Sequence, residues 1–110
     1  MASHHKLKNL TLIIDKNLNQ AMGLTSEILN FDNIHLRLAT FGWHVLTING
    51  HNFQEIKKAL EVNLEKPKVI IANTIKGYPV SFMRGNNFYH YAQITKRVYK
   101  EIKKELTKYA

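Results

Sequence analysis

Three segments of this 110-residue chain hold most of the side chains able to do chemistry: Asp15–Gly23, Gly50–Asn52 and Lys76–His90. The first carries Asp15, Asn17 and Asn19 directly after an apolar run, and on residue types alone it also reads as an ordinary Asx turn. The second, Gly50-His51-Asn52, makes sense as a turn followed by a helix cap, which leaves His51 a weak candidate. The third ends on His90, set among Phe88, Tyr89 and Tyr91. An imidazole there can donate a hydrogen bond or shuttle a proton, or can simply be an exposed loop histidine. His4, His5, His35 and His44 show no pairing at metal-ligand spacing. The chain has no Gly-x-Ser-x-Gly, no phosphate-loop motif and no His-Glu-x-x-His. Asp15 and Asp32 give no carboxylate pair by spacing.

Composition narrows the classes further. Cysteine is absent, which excludes disulfide scaffolds, thiolate metal sites and a cysteine nucleophile. Hydrophobic residues at 45% and charged residues at 22% suit one small globular domain rather than a disordered chain. No apolar run is long enough for a membrane span, and the start Met-Ala-Ser-His-His-Lys has no signal-peptide stretch. The expectation is a cytoplasmic protein with no membrane partner. A formal net charge of +8 invites a basic anion- or RNA-binding module. That is the weakest reading, because acids interleave the lysines, as in Lys100-Glu101-Ile102-Lys103-Lys104-Glu105, and no Arg-rich run occurs. Nucleic acid is not an expected partner.

The elements that must position these segments follow from periodicity. Asn9–Asp15, His44–Asn49 and Lys68–Ile75 are apolar runs of strand length, the first expected to be buried on both faces. Ile34, Leu38 and Phe41 recur at helical spacing, with Asn30 or Asp32 as cap and Gly42 as left-handed terminator. Asn52 with Glu55 forms a capping-box arrangement before a stripe of Phe53, Ile56, Leu60 and Leu64, and Pro67 bars any further helix. A final helix is expected over about Thr95–Tyr109, with Val98, Ile102, Leu106 and Tyr109 on one side. Strand, helix, strand, helix, strand implies right-handed crossovers and an α/β fold: a three-layer fragment with a mainly parallel sheet of about three strands flanked by helices. In such sheets ligands bind beyond the carboxyl ends of the strands, where all three chemical segments fall.

Three blocks then resemble one family. Asn9-Leu-Thr-Leu-Ile-Ile-Asp15-Lys16-Asn17-x-x-Gln20 is similar to the end of the thiamine-diphosphate motif of transketolases. Phe41-Gly42-Trp43 leading to Gly50-His51-Asn52 looks like their Phe-Gly-Trp, strand, Gly-His-Asp segment. Lys66-Pro67, a strand, Thr74-Ile75-Lys76-Gly77, then Val80-Ser81-Phe82-Met83 and His90 look like a third block. Several positions depart from the family pattern. Lys-Gly-Lys-Gly-Val becomes Lys76-Gly77-Tyr78-Pro79-Val80, Arg84 stands where an acid is usual, Asn52 replaces Asp, and Asn19 replaces an aliphatic residue.

The resemblance implies that residues 1–110 are a partial diphosphate-binding domain, lacking the Gly-Asp-Gly half and the pyrimidine-binding domain with its catalytic glutamate. Met1–Leu7 looks like the tail of a family helix. The implied cofactors are thiamine diphosphate and Mg²⁺. The implied metal ligands are the Asn17 side chain and the Asn19 backbone carbonyl. His90 is the implied catalytic and cofactor-binding histidine, and Trp43 is expected to pack in the core. The implied reaction transfers two-carbon ketol units between sugar phosphates, with a complementary transketolase subunit or a homo-oligomer as partner. The alternative is a non-catalytic remnant or interaction subunit. The chain alone is expected to be inactive and to hold metal weakly. Asn17 and the Asn19 carbonyl should lie at the carboxyl end of the first strand and face the loop holding His90. The Asn17 amide should point into a groove rather than cap its own turn.

Overall fold

The computed structural model describes residues 1–20, 23–24, 26 and 33–109. The expected caps Asn30 and Asp32 lie outside the described residues. The chain divides into two compact units: Met1–Lys16 with Phe31–Thr74, and Asn17–Asn30 with Ile75–Ala110.

The first unit is built on three parallel strands: β1 (Thr11–Lys16), β4 (His44–Asn49) and β5 (Lys68–Asn73), in the order β1-β5-β4. The expected α/β class with a parallel three-stranded sheet is what the chain adopts. Thr11 pairs with Lys68 and Lys16 with Asn73, while His44 pairs with Lys68 and Asn49 with Asn73. All three carboxyl ends therefore fall on one edge of the sheet. β5 is central and has its backbone groups paired on both sides. Val69 is fully buried and Ile70 and Ile71 are 2% exposed, so this run of aliphatic residues forms the core.

β1 departs from the expected burial. It is an outer strand of this sheet, and Leu12 and Ile13, on opposite faces, are 39% and 58% exposed. Thr11 and Ile14 are half-buried, so the apolar run forms the strand without full burial on either face.

Helix α1 (Ile34–Thr40) and helix α2 (Phe53–Glu61) both pack against β4. Gly42 follows α1 with φ +82°, the left-handed geometry that its position required. Asn52 caps α2 as expected. Its Oδ1 accepts the backbone N–H groups of Gln54 and Glu55 at 3.0 and 3.2 Å. Glu55 returns the contact by accepting from Asn52 Nδ2 at 3.0 Å and from the Asn49 backbone N–H at 2.8 Å. An aspartate at position 52 has no side-chain N–H to offer Glu55, so the amide knits this turn where the carboxylate of the family pattern would repel it. Met1–Leu7 forms turns, in which the His5 N–H bonds to the Met1 carbonyl at 3.0 Å, and Lys6 adopts φ +49°.

Helix α2 is shorter than its apolar stripe. It ends at Glu61, Phe53 is 84% exposed and Leu60 49%, and the buried residue of the helix is Ala59. Lys68 supplies the reason. This lysine is 7% exposed, and its ammonium donates to the carbonyls of Ala59 (3.1 Å), Leu60 (2.6 Å) and Val62 (2.8 Å). Those are orphan acceptors at a helix C-terminus, where the dipole favours a cation. Three donors of one ammonium meet three acceptors, so the helix stops there and its end is fixed to the first residue of β5.

The second unit holds a two-residue antiparallel pair, β2 (Asn19–Gln20) with β3 (Gly23–Leu24). It also holds 3₁₀ turns at Ser81–Met83 and Asn87–His90, and helix α3 (Lys96–Leu106). Thr95 caps α3, its side chain accepting the Val98 N–H. Val98 and Ile102 are half-buried, whereas Leu106 and Tyr109 are 44% and 60% exposed.

Replacing Lys68 with Met keeps the stem and leaves three buried or part-buried carbonyls without this donor. Lys68→Met should lower stability by about 2–3 kcal/mol in chemical denaturation. A loss below about 0.5 kcal/mol, within the range of neutral surface changes, would contradict the capping role.

Candidate functional site

The parallel register brings β1, β4 and β5 out of the sheet at one edge. Asn17 follows the last residue of β1, Gly50 the last of β4, and Thr74 the last of β5. This edge is tied together by local bonds. The Thr74 hydroxyl donates to Asp15 Oδ1, the Gly50 N–H donates to the Asn73 carbonyl at 2.8 Å, and the Thr74 N–H donates to the Lys16 carbonyl at 3.3 Å. Gly50 is needed for close approach: a Cβ there would run into the Thr74 methyl and lie 3.1 Å from Ala72 Cβ.

Asn17, Asn19 and His90 all belong to the second unit. The structure brings Asn17 and Asn19 together in one turn around Leu18, which takes φ +63°. Asn17 Oδ1 accepts the Asn19 backbone N–H at 3.0 Å, and Asn19 Nδ2 donates to the Asn17 carbonyl at 2.9 Å. The expectation that the Asn17 amide would leave its own turn is therefore wrong. An Asx side chain two residues ahead of an N–H takes the shortest bond available, and the left-handed Leu18 delivers that N–H to it.

Among the described residues, Asn19 Oδ1 is buried with no hydrogen-bond partner. Amide and carbonyl oxygens are hard ligands of the kind Mg²⁺ takes. The residues present thus fit a hard cation in kind. Their number is short of the near-octahedral set of about six that Mg²⁺ demands. Among the described residues no group of three or more His, Asp or Glu forms a metal cluster.

His90 closes the 3₁₀ turn Asn87–His90, whose start is capped by Asn86 Oδ1 accepting the Phe88 N–H at 3.0 Å. Its Nδ1 lies 2.9 Å from Lys76 Nζ. Sequence reasoning treated Lys76 only as part of a motif; a lysine and a histidine fourteen positions apart carry no spacing signal of contact. The segment between them is pinned at two points. The Gly85 N–H donates to the Lys76 carbonyl at 2.9 Å, and Gly77, at φ +78°, packs so tightly on the Met83 backbone that a Cβ would collide with its carbonyl. Arg84, where the family pattern has an acid, lies over the Tyr78 ring at 5.7 Å from its centroid. His51 is half-buried, with its backbone N–H donating to Asn49 Oδ1 at 3.0 Å, the turn geometry foreseen for it. Trp43, between α1 and β4 in the chain, is half-buried.

With this geometry in place, comparison with known proteins decides the ancestry. The family described as "Transketolase, thiamine diphosphate binding domain" matches residues 1–109. The chain belongs to the transketolase thiamine-diphosphate-binding domain family. It is 33% identical over 108 residues to one of the subunits of the apulose-4-phosphate transketolase of Phocaeicola vulgatus, covering 96% of this chain and 38% of that relative. It is 36% identical over 110 residues to the 6-deoxy-6-sulfo-D-fructose transketolase subunit SqwG of a Clostridium species, covering 97% of this chain and 40% of that relative. The crystal structure of transketolase from Campylobacter jejuni superposes with a TM-score of 0.86 at 36% identity, over 94% of this chain and 16% of that one. The chain thus spans about two fifths of the length of the two subunits it matches. Among the described residues no helix is long and apolar enough to cross a membrane.

One acidic contact in this unit also escaped the sequence reading. Glu105 on α3 accepts the Ser81 backbone N–H at 2.6 Å and the Ser81 hydroxyl at 2.8 Å. The backbone bond first, the hydroxyl second and Lys108 less strongly hold its carboxyl below the ordinary glutamate value. A depressed folded pKa gives stability that is complete above the unfolded pKa and is lost as pH falls through the folded one. Glu105→Gln should therefore lower Tm at neutral pH, and the gap to the parent should close on acidification below the ordinary glutamate range. A Tm difference that does not change with pH would contradict this assignment.

Proposed function

We propose that this chain supplies part of the magnesium–diphosphate seat of a transketolase-type enzyme that moves two-carbon ketol units between sugar phosphates. The observation that carries the reading is the family match over residues 1–109. It is supported by the parallel register, which starts the Asn17 segment and the segment leading to His90 at one edge of the sheet.

In this reading the Asn17 side-chain oxygen and the Asn19 backbone carbonyl are the Mg²⁺ ligands drawn from this chain. Asn19 Oδ1, buried and without a partner among the described residues, is a further oxygen that a cation, or a water in its shell, would satisfy. Thiamine diphosphate, when bound, supplies the electron sink that ketol transfer requires. His90 offers its imidazole to the diphosphate and the substrate, where it can hold or release a proton at a ring nitrogen. The remaining ligands belong to the diphosphate itself and to a Gly-Asp-Gly segment outside residues 1–110. These residues are then the latter part of a diphosphate-binding domain, and a complementary subunit brings the pyrimidine-binding domain and its catalytic glutamate. Relatives that are named as subunits support such a partner. The setting is cytoplasmic, where sugar phosphates are metabolised.

A second reading is a non-catalytic interaction subunit or remnant. It is favoured by one observation: the Asn17 side-chain oxygen and the Asn17 carbonyl are both already hydrogen-bonded within the turn.

The purified chain with thiamine diphosphate and Mg²⁺ should show no ketol transfer. Mixed with the rest of a two-subunit transketolase, it should restore transfer, and Asn17→Ala should reduce that rate about 10- to 100-fold. Transfer by the chain alone would overturn the division of labour. Restored transfer that is indifferent to Asn17→Ala would remove Asn17 from the metal seat. Stable association without transfer would favour the interaction subunit.

A further inference from the structure

The Lys76–His90 contact fixes more than a distance. An ammonium group has donors and no acceptor, so a bond between Lys76 Nζ and His90 Nδ1 at 2.9 Å requires a lone pair on Nδ1. The imidazole is then neutral and its proton sits on Nε2. A protonated imidazole would carry N–H on both nitrogens and would face the ammonium as a like charge. We infer that Lys76 is a positioning residue for His90, holding its imidazole as the neutral Nε2–H tautomer so that the ring presents an N–H donor rather than a lone pair on its far side.

The surroundings support a held pair rather than a chance meeting of two side chains. Lys76 is half-buried, and its own carbonyl is bonded to the Gly85 N–H. Gly77 next to it is wedged against the Met83 backbone. His90 sits at the end of a capped 3₁₀ turn, with its ring edge-on to Tyr91 at 4.5 Å between centroids. Phe82 and Tyr89, 5.6 Å apart, join the two turns of this segment. Both partners therefore project from backbone fixed by local bonds. The consequence is chemical: an exposed Nε2–H beside a lysine ammonium suits an anionic oxygen, such as a phosphoryl oxygen, and does not suit a ligand that must donate a proton. That consequence rests on the role proposed above for His90; the tautomer itself does not.

Long-range ¹H–¹⁵N correlation spectra of the ¹⁵N-labelled full chain report which ring nitrogen carries the proton. In the parent, His90 should show a protonated Nε2 and an unprotonated Nδ1. Lys76→Met removes the donor at similar length and should raise the Nδ1–H population about threefold, the scale expected for loss of an exposed charge-assisted contact. Lys76→Arg keeps N–H donors and should restore the parent tautomer ratio. Backbone amide spectra of each variant establish that the fold is retained. A parent His90 that is mainly Nδ1–H, or a ratio that Lys76→Met leaves unchanged, would overturn the inference. Addition of magnesium pyrophosphate separates the two readings. A Lys76-dependent tautomer whose Nε2–H does not respond to pyrophosphate would uphold Lys76 as the positioning residue and count against His90 as a diphosphate contact.

Discussion

The first unit depends on one buried strand and one buried cation. β5 is closed in by β1 on one side and β4 on the other, and its residues from Lys68 to Ala72 are all buried. A strand in that position must be aliphatic, and Val69-Ile70-Ile71 meets the demand. A lysine as its first residue would be costly there without partners. The carbonyls at the end of α2 supply them, and the same three bonds set where α2 stops. The crossover from β4 through α2 to β5 thus has its length fixed by electrostatics as well as by Pro67. With that length fixed, β4 and β5 pair in matching register, and β1 joins in the same register from the other side.

The candidate residues begin from that register. Because the three strands end together, the segments after them start together, and those segments carry Asn17, His51 and Lys76 to His90. Each is then shaped by its own local bonds: an Asx turn, a reciprocal Asn–Glu cap, and two 3₁₀ turns, the first in a stretch held through Gly77 and Gly85 and the second capped by Asn86. The departures from the family pattern have physical accommodations here. Asn52 gains a bond to Glu55 that an aspartate lacks, and Arg84 finds the Tyr78 ring. Nothing in the structure explains why Asn19 stands where the family pattern has an aliphatic residue, although its side chain closes the Asx turn.

What was legible in the sequence was whatever depends on neighbours in the chain. The apolar runs marked all three sheet strands, the Asn52–Glu55 spacing marked the cap, and Gly42 marked a left-handed end. The three motif blocks, in order, pointed to the family. What was illegible depends on residues far apart or on context. Ile13 reads as core by type, and only its place on an outer strand leaves it open. Phe53 and Leu60 lie on the expected stripe, yet Lys68, six to nine positions beyond the carbonyls it binds, decides how far α2 runs. The Asn17 amide was assigned outward by analogy, and the left-handed Leu18 turned it inward. The Lys76–His90 and Ser81–Glu105 pairs span loops whose path no periodicity encodes.

The strands are parallel and end at one edge, and where the segments carrying the candidate residues begin follows from that. The chain has no cysteine, so nitroxide labels can be attached to Lys16→Cys and Asn49→Cys without background. Both positions pair with Asn73 and both are exposed. Their backbones should lie two strand spacings apart, about 9–10 Å, and the doubly labelled chain should show strong dipolar broadening in its electron paramagnetic resonance spectrum. Were β1 antiparallel to β5, residue 16 would move to the opposite edge, about 17 Å farther along the strand, and the broadening would be lost. A narrow spectrum equal to the sum of the two single labels would contradict the account.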